Sequence, residues 1–405
     1  DRKLVWAGLL ALSLITGLLV KLSFILVVGA LLLDVLIHYR AMLRLRHFWL
    51  ALAGLDAFIA LSGLAFFVIH LIDPAFRFAG MIEHARSYMH GGGRNTLQIL
   101  VQGVKALYYL SPLLLVPLVF LSRDMLGKAR VFLIYLGLGC LFYFILFDFS
   151  RGALDKYLMF SIIPLCVFAG AVFGRYLAGL FPHAQNAWVL GILGAAAIIA
   201  TAFLPQDLLP LYPKTAWFSA VLHGHLNILT PFNGGSGPLG FYVSFATICA
   251  GFALSVLAVI GAFFYPRMRP AALIFILLAG LAYNAVFLEE FSFGQINGNA
   301  NAVLAPALSF IQSDAGITRV MTYNDIGAYE LTQMGKYHRR IYATPEFEPG
   351  YEKLFAAYTG HFLVVNVPPL YDGFYSQYFA QCDKVFQSVS HAATATVYLC
   401  KNTTK

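Results

Sequence analysis

The chain has 405 residues, 60% of them hydrophobic and 11% charged, with a formal net charge of +8. Soluble domains carry about 25% charged and about 45–50% apolar residues, so the composition excludes a wholly water-soluble enzyme and makes lipid the solvent for much of the chain. Five cysteines exclude a disulfide scaffold, and basic residues that sit between apolar runs, with no nucleic-acid motif, exclude nucleic acid as a partner.

The first residue is Asp1 and the apolar pattern is running by Leu4, with no signal-peptide pattern. The expectation is a chain that starts part-way through a longer protein. A bilayer core about 30 Å thick needs roughly 20 mostly apolar residues per helix. On that basis spans are predicted at 4–20, 22–38, 47–71, 105–121, 131–147, 157–174, 188–204, 239–264 and 271–287. The fold class is therefore a polytopic α-helical membrane protein of about nine spans, followed by an extracytoplasmic α/β domain. Lys21 divides the first two spans, which read as a tight hairpin rather than one long tilted helix. The hairpin places Arg2 and Lys3 on the same side as Arg40, Arg44, Arg46, Arg123, Lys128, Arg130, Arg175, Arg267 and Arg269. Lys/Arg-rich loops are cytoplasmic, whereas loops 72–104, 148–156 and 205–238 mix acids with bases. The C-terminal domain then lies outside, and the plasma or inner membrane is the expected location.

From Glu289 the apolar runs shorten, so residues 1–288 read as a transmembrane domain and 289–405 as a soluble one. Helix-like stretches at 302–313, 325–334, 351–358 and 373–380 alternate with strand-like ones at Arg319–Tyr323, Arg340–Ala343, Phe362–Val367, Lys384–Val389 and Thr394–Leu399. That alternation predicts a largely parallel sheet, with the last two strands able to pair as a hairpin. The chain has no G-x-G-x-x-G or Walker loop, so no nucleotide is expected, and no other cofactor is implied.

Loop 148–156 crowds Asp148, Arg151, Asp155 and Lys156 between two spans. A guanidinium fork and an ammonium at headgroup level suit a phosphate; the alternative is local Asp–Arg and Asp–Lys pairing. Lys21, at the hairpin turn, either reaches the same phosphate or snorkels to the interface. Loop 72–104 holds Asp73, Arg77, Glu83, His84, Arg86, His90, a Gly91-Gly92-Gly93 run and Arg94. Glu83 and His84 suit acid–base work or acceptor binding, and the glycines beside Arg94 suit backbone approach to an anion; a flexible polar loop explains the same residues. His223 and His225 have metal-ligand spacing but no third ligand nearby, so no metal site is expected. Gly170 and Gly174 form a G-x-x-x-G for which helix packing is the default. Cys140, Cys166 and Cys249 read as packing residues, while Cys382 and Cys400 flank the two last strands on the oxidising side and suit a disulfide.

Two stretches carry a family resemblance. Ala7-Gly8-Leu9-Leu10 through Thr16-Gly17-Leu18-Leu19-Val20-Lys21 resembles the G-L-x-L-G-L-A-x-L-T-K hairpin of polyprenyl-phosphate-sugar glycosyltransferases of the GT-C superfamily, in the protein O-mannosyltransferase and aminoarabinose transferase branch. Arg151 through Gly170, with Lys156-Tyr157 and Pro164, resembles that branch's R-Y-L-L-P-x-x-P span. The resemblance implies inverting transfer of a sugar from a polyprenyl-phosphate donor to a hydroxyl of a glycan, lipid or protein acceptor on the outer side. Lys21, Arg151 and Lys156 would stabilise the departing lipid phosphate, and apolar grooves would hold the lipid tail. Lys156 stands where the family has Arg, which keeps the charge and loses the bidentate fork. The family's catalytic acid precedes the hairpin, where this chain offers only Asp1 on the inner side, so the catalytic residue is not assigned and the family's first spans are expected to lie upstream. Two other classes compete. A transporter or flippase for lipid-linked sugars would carry paired charges in its spans, and these spans are nearly free of them. A non-catalytic membrane assembly subunit with a sensory outer domain is the other.

Overall fold

A computed structural model of the chain describes residues 2–20, 22–38, 45–73, 79–80, 82–83, 86, 96–146, 159–179, 185–207, 219–232, 240–323, 325–341, 357–366 and 374–401. Contacts divide the chain into two units. The first is Asp1–Leu110, Pro117–Ala153 and Tyr157–Arg175; the second is Ser111–Val116, Leu154–Lys156 and Tyr176–Lys405. Among the described residues three helices are long and apolar enough to cross a membrane: Met159–Leu177, Phe245–Phe264 and Pro266–Ser292. Six further apolar stretches of 10–17 residues lie in helices: Gly8–Val20, Ile25–His38, Asp56–Ile72, Ala106–Phe120, Arg130–Phe144 and Asn186–Ala202.

In the first unit α1 (Arg2–Val20) and α2 (Ile25–His38) are separate helices divided by a 3-10 turn at Leu22–Phe24. Helix α1 packs on α3 (Leu45–Ile72), while α2 packs on a later helix described below. Helix α4 (Thr96–Leu115) breaks the predicted span 105–121: Ser111 has φ 63 and ψ 150, and Pro112 follows it. Proline removes a backbone donor and clashes with the preceding turn; the Ser111 hydroxyl compensates by accepting the Leu113 N–H at 3.0 Å. Ser122 caps α5 (Arg123–Lys128), accepting the Met125 N–H. Then α6 (Arg130–Leu141), the partner of α2, runs into a π turn at Phe142–Leu146, and Tyr143 stacks on Phe160 with ring centroids 5.0 Å apart. Helix α7 (Ile162–Leu177) carries Gly170 and Gly174. A Cβ at either would meet nothing within 4 Å among the described residues, so no described helix packs closely on them.

Close packing belongs instead to other glycines: in the first unit a Cβ at Gly139 of α6 would press on the Phe160 ring, and in the second unit glycines join whole helices. A Cβ at Gly191 or Gly194 of α8 (Gln185–Ala202) would lie 2.5 Å from the Leu278 or Phe275 side chain of α10 (Arg269–Ser292). Gly251 of α9 (Phe245–Phe264) makes room for Tyr283 of α10 in the same way. Small residues let apolar helices approach closely enough for dispersion contacts to hold them without water's help. Helix α10 is the hub, burying residues from Ala272 to Glu290, whereas α9 leaves Leu257 61% and Phe263 73% exposed.

The predicted span 239–264 needs correction. Residues Phe241–Ser244 are strand β2, paired antiparallel with β1 (Leu229–Phe232), and the helix starts only at Phe245. A short, wholly apolar run suits a buried strand as well as a helix, so hydropathy could not tell them apart.

The C-terminal domain begins with α11 (Ala300–Ser313), N-capped by Asn299, whose Oδ1 accepts the Ala302 N–H at 2.9 Å. Its buried Ala300, Val303, Leu304, Ala307, Leu308 and Ile311 form one helical stripe that packs on the sheet. The strands are β3 (Val320–Tyr323), β4 (Tyr337–Ile341), β5 (Gly360–Val365), β6 (Asp383–Ser390) and β7 (Ala393–Cys400), in the order β4-β3-β5-β7-β6. Short helices α12 (Ala328–Gln333) and α13 (Phe374–Phe379) lie between β3 and β4 and between β5 and β6. The sheet is mixed, not largely parallel: β3 pairs parallel with β4 and β5, and β7 pairs antiparallel with β5 and β6. The tight β6–β7 hairpin forces this, because two adjacent strands joined by two residues must run in opposite directions. Helix α13 supplies Phe379, whose ring stacks on Tyr398 of β7 at 4.6 Å.

Candidate functional site

Most residues singled out in the sequence lie outside the described residues: Lys21, Arg151, Lys156, His84 and Arg94. Glu83 is described and exposed. Cys382 and Cys400 are joined by a disulfide, with Cα atoms 4.5 Å apart across the start of the β6–β7 ladder, inside the range the bond needs. His223 places Nδ1 2.7 Å from the Ser219 carbonyl, and no group of three metal-ligating side chains occurs among the described residues.

The structure assembles a polar cleft that the sequence reading did not pick out. It lies within the second unit, where α10 ends and the sheet domain begins. Glu289 and Glu290 stand in the last turn of α10, and hydrogen bonds hold the connection to α11. Both the Phe293 and Gly294 N–H groups donate to the Glu289 carbonyl, at 2.7 and 2.9 Å. Gly294 has φ 59, the left-handed geometry that ends helices, and a Cβ there would press on the Asn299 backbone. Glu290 is fully buried; its carboxyl accepts the Asn297 Nδ2–H at 2.8 Å and the Asn297 backbone N–H at 3.3 Å. Asn299 donates from Nδ2 to the Glu290 carbonyl at 3.4 Å while capping α11. The Asn297 carbonyl accepts the Ala392 N–H at 2.9 Å, which pins the tip of the β6–β7 hairpin to this connection. The apolar helices and the sheet domain are thereby coupled by hydrogen bonds rather than by a slack linker.

Around this junction opens a cleft of about 730 Å³. Gln206, Glu289, Gln295, Asn297 and His391 supply its polar lining, and Ala202, Phe203, Leu204, Leu229 and Ile296 its apolar part. Glu289 Oε1 accepts the Gln295 N–H at 2.9 Å. Its other oxygen, Oε2, is buried with no hydrogen-bond partner among the described residues, and so is Gln206 Oε1. A buried acceptor left unsatisfied costs about 1–3 kcal/mol, more when charged. Two such acceptors in one cleft favour a ligand that brings N–H or O–H donors. A carboxylate held by one oxygen, with the other unpaired among the described residues, can orient a hydroxyl or, as a general base, take its proton once a ligand reaches it. His391, on the hairpin tip at φ 49, adds a group able to donate or accept. The sequence signal for this site was the acidic pair directly after an apolar span; its partner Gln206 lies 83 positions earlier and could be matched only by folding.

The first unit shows a second overlooked group. Asp34 lies inside the apolar span 22–38, is 6% exposed, and accepts from Arg130 Nε at 2.7 Å with His38 Nδ1 3.0 Å away. Comparison with protein-family models, curated proteins and solved structures found no match to this chain.

Proposed function

We propose that this chain is a membrane-embedded glycosyltransferase that passes a sugar from a polyprenyl-phosphate donor to an acceptor hydroxyl. The observation that carries the reading is the cleft at Glu289 and Gln206, where two buried acceptors with no partner among the described residues meet the end of helices apolar enough for a bilayer. A substrate that is half lipid and half polyol needs that juxtaposition. The cleft holds the hydroxyl-rich partner through donated hydrogen bonds, with the exposed Phe203 ring as an apolar face for a sugar. Lys21, Arg151 and Lys156 hold the donor phosphate in this reading, on the strength of the sequence resemblance. The nine-span topology and an outward-facing sheet domain belong to it as well. A Cys introduced at Gly127, where a side chain meets nothing within 4 Å, should stay unlabelled by an impermeant reagent in intact cells.

The decisive experiment is transfer of radiolabelled sugar from a polyprenyl-phosphate donor by the natural full-length protein in proteoliposomes. Loss of one electrostatic donor to a developing phosphate charge should cost on the order of 10²–10³ in rate, as Arg151→Ala tests. Glu289→Gln should raise the acceptor KM or lower kcat without changing donor retention. Wild-type turnover in both folded variants overturns the proposal.

One observation favours a second reading. The buried Asp34–Arg130 pair is the kind of intramembrane charge a transporter uses. A flippase would move the lipid-linked sugar across the vesicle membrane without releasing polyprenyl phosphate, and the same proteoliposomes distinguish the two.

A further inference from the structure

A separate cleft of about 500 Å³ lies in the first unit, between α5–α6 and α7. Its two halves differ sharply in chemistry. Phe132 of α6 and Val167 and Ala171 of α7 form an apolar wall; Asp124, Lys128 and Arg175 close one end. Arg175 donates from Nη1 to the Ser122 hydroxyl at 3.0 Å and has no carboxylate partner among the described residues. A guanidinium carries five N–H donors, and only one of Arg175's has an acceptor among the described residues. Lys128 pairs with Asp124 at 3.1 Å, but the two side chains are 78% and 68% exposed. Such a surface pair is worth about 0–1 kcal/mol and is readily exchanged for a stronger anion. Arg130, next in sequence to this lining, is committed to Asp34.

We infer that this cleft binds an anionic phospholipid, its phosphate between Arg175 and Lys128 and its first acyl carbons along Phe132, Val167 and Ala171. The apolar wall argues for a lipid over a free phosphate, which would leave that surface bare. The cationic end argues against a zwitterionic headgroup, whose ammonium would face Arg175. The loop 122–130 and Arg175 also fall on the Lys/Arg-rich side of the sequence topology, the side where anionic lipids concentrate in membranes. The site is independent of the Glu289 cleft and of the transfer reaction.

Native mass spectrometry of the full chain in detergent tests it, with phosphatidylglycerol, phosphatidylcholine and glycerol 3-phosphate as probes. Phosphatidylglycerol should be retained over phosphatidylcholine, and glycerol 3-phosphate at equal concentration should not displace it. Arg175→Gln and Lys128→Gln should each weaken retention about fivefold, the equivalent of about 1 kcal/mol per cation at a lipid surface. Ala171→Trp fills the apolar wall and leaves both cations in place, so it should abolish retention while glycerol 3-phosphate behaves as before. Lys401→Gln, far along the chain in the sheet domain, is the control and should change nothing. Equal retention of the two lipids, or an unchanged Lys128→Gln variant, overturns the inference. Competition by glycerol 3-phosphate at equal concentration also overturns it, assigning the cleft to a soluble phosphate instead.

Discussion

Asp34 and Glu290 are both acids buried against apolar helices, and the two regions hold them by opposite chemistry. Asp34, in the first unit, sits beside the Arg130 guanidinium and the His38 ring. Glu290, in the second, has no cation among the described residues and rests on the side-chain amide and backbone N–H of Asn297. An ion pair attracts over distance and ties α2 to α6 across 96 positions of sequence. Amide donors act only at contact, and they tie a helix end to the seven residues that follow it. The first arrangement therefore organises a helix pair; the second shapes a turn, and that turn forms part of the Glu289 cleft.

The difference can be broken by mutation, and the largest effect should come from Arg130→Gln. Removing one partner of a buried pair leaves an uncompensated charge, at about 3–5 kcal/mol; because Arg130 is 31% exposed, the lower end applies. Thermal melts in detergent should show this loss, and Asp34→Asn added to Arg130→Gln should recover most of it. A melting point that does not move would mean that the pair does not hold α2 and α6 together.

Reduction of Cys382–Cys400 comes next, because it closes a loop of 18 residues and such closures contribute about 3 kcal/mol. Cys382→Ser/Cys400→Ser should lower the melting of the sheet domain and leave exchange protection of α2 and α6 unchanged. Equal loss in both units would show that they unfold as one.

The sharpest comparison is between two conservative changes. Glu290→Gln keeps an oxygen to accept from Asn297 and should cost little, whereas Asn297→Ala strips both the amide and the tight turn it supports, at about 1–3 kcal/mol for a buried acceptor left open. If Glu290→Gln proves as damaging as Asn297→Ala, Glu290 has a charged partner, and the contrast with Asp34 fails.

The smallest effect is pH dependence within the sheet domain. Burial holds His361 below the ordinary histidine range, with Lys336 adding to the effect and Asp314 opposing it. Burial, then Arg319 and Arg339, do the same to His338. Unfolded histidines take up protons near pH 6.5, so below that value the unfolded chain binds more protons than the folded one. Stability is then complete above about pH 7 and falls as pH drops. His361→Gln should flatten this slope between pH 7.5 and 5.5 in thermal melts; an unaltered slope would clear His361 of any part in it.

Hydropathy and alternation by themselves determined that the chain is rich in apolar helices and ends in a sheet domain, that four of its five strands run close to where alternation places them, and that Cys382 and Cys400 flank the last two; the strand expected at Arg340–Ala343 runs Tyr337–Ile341 instead. These are local properties: apolar runs, period-two alternation and turn residues are written in neighbouring positions. Even so, the helix limits were adjusted by events that local apolarity hides, such as the break at Ser111-Pro112 and the strand Phe241–Ser244, which exists because Leu229–Phe232 lies beside it. Only the tertiary structure decided the direction of β5 against β7, the Asp34–Arg130 pair, and the cleft that sets Gln206 with Glu289 and His391. Each depends on residues tens to hundreds of positions apart. A side chain's worth is set by what stands opposite it, and pattern along the chain carries no record of that partner until the backbone has closed.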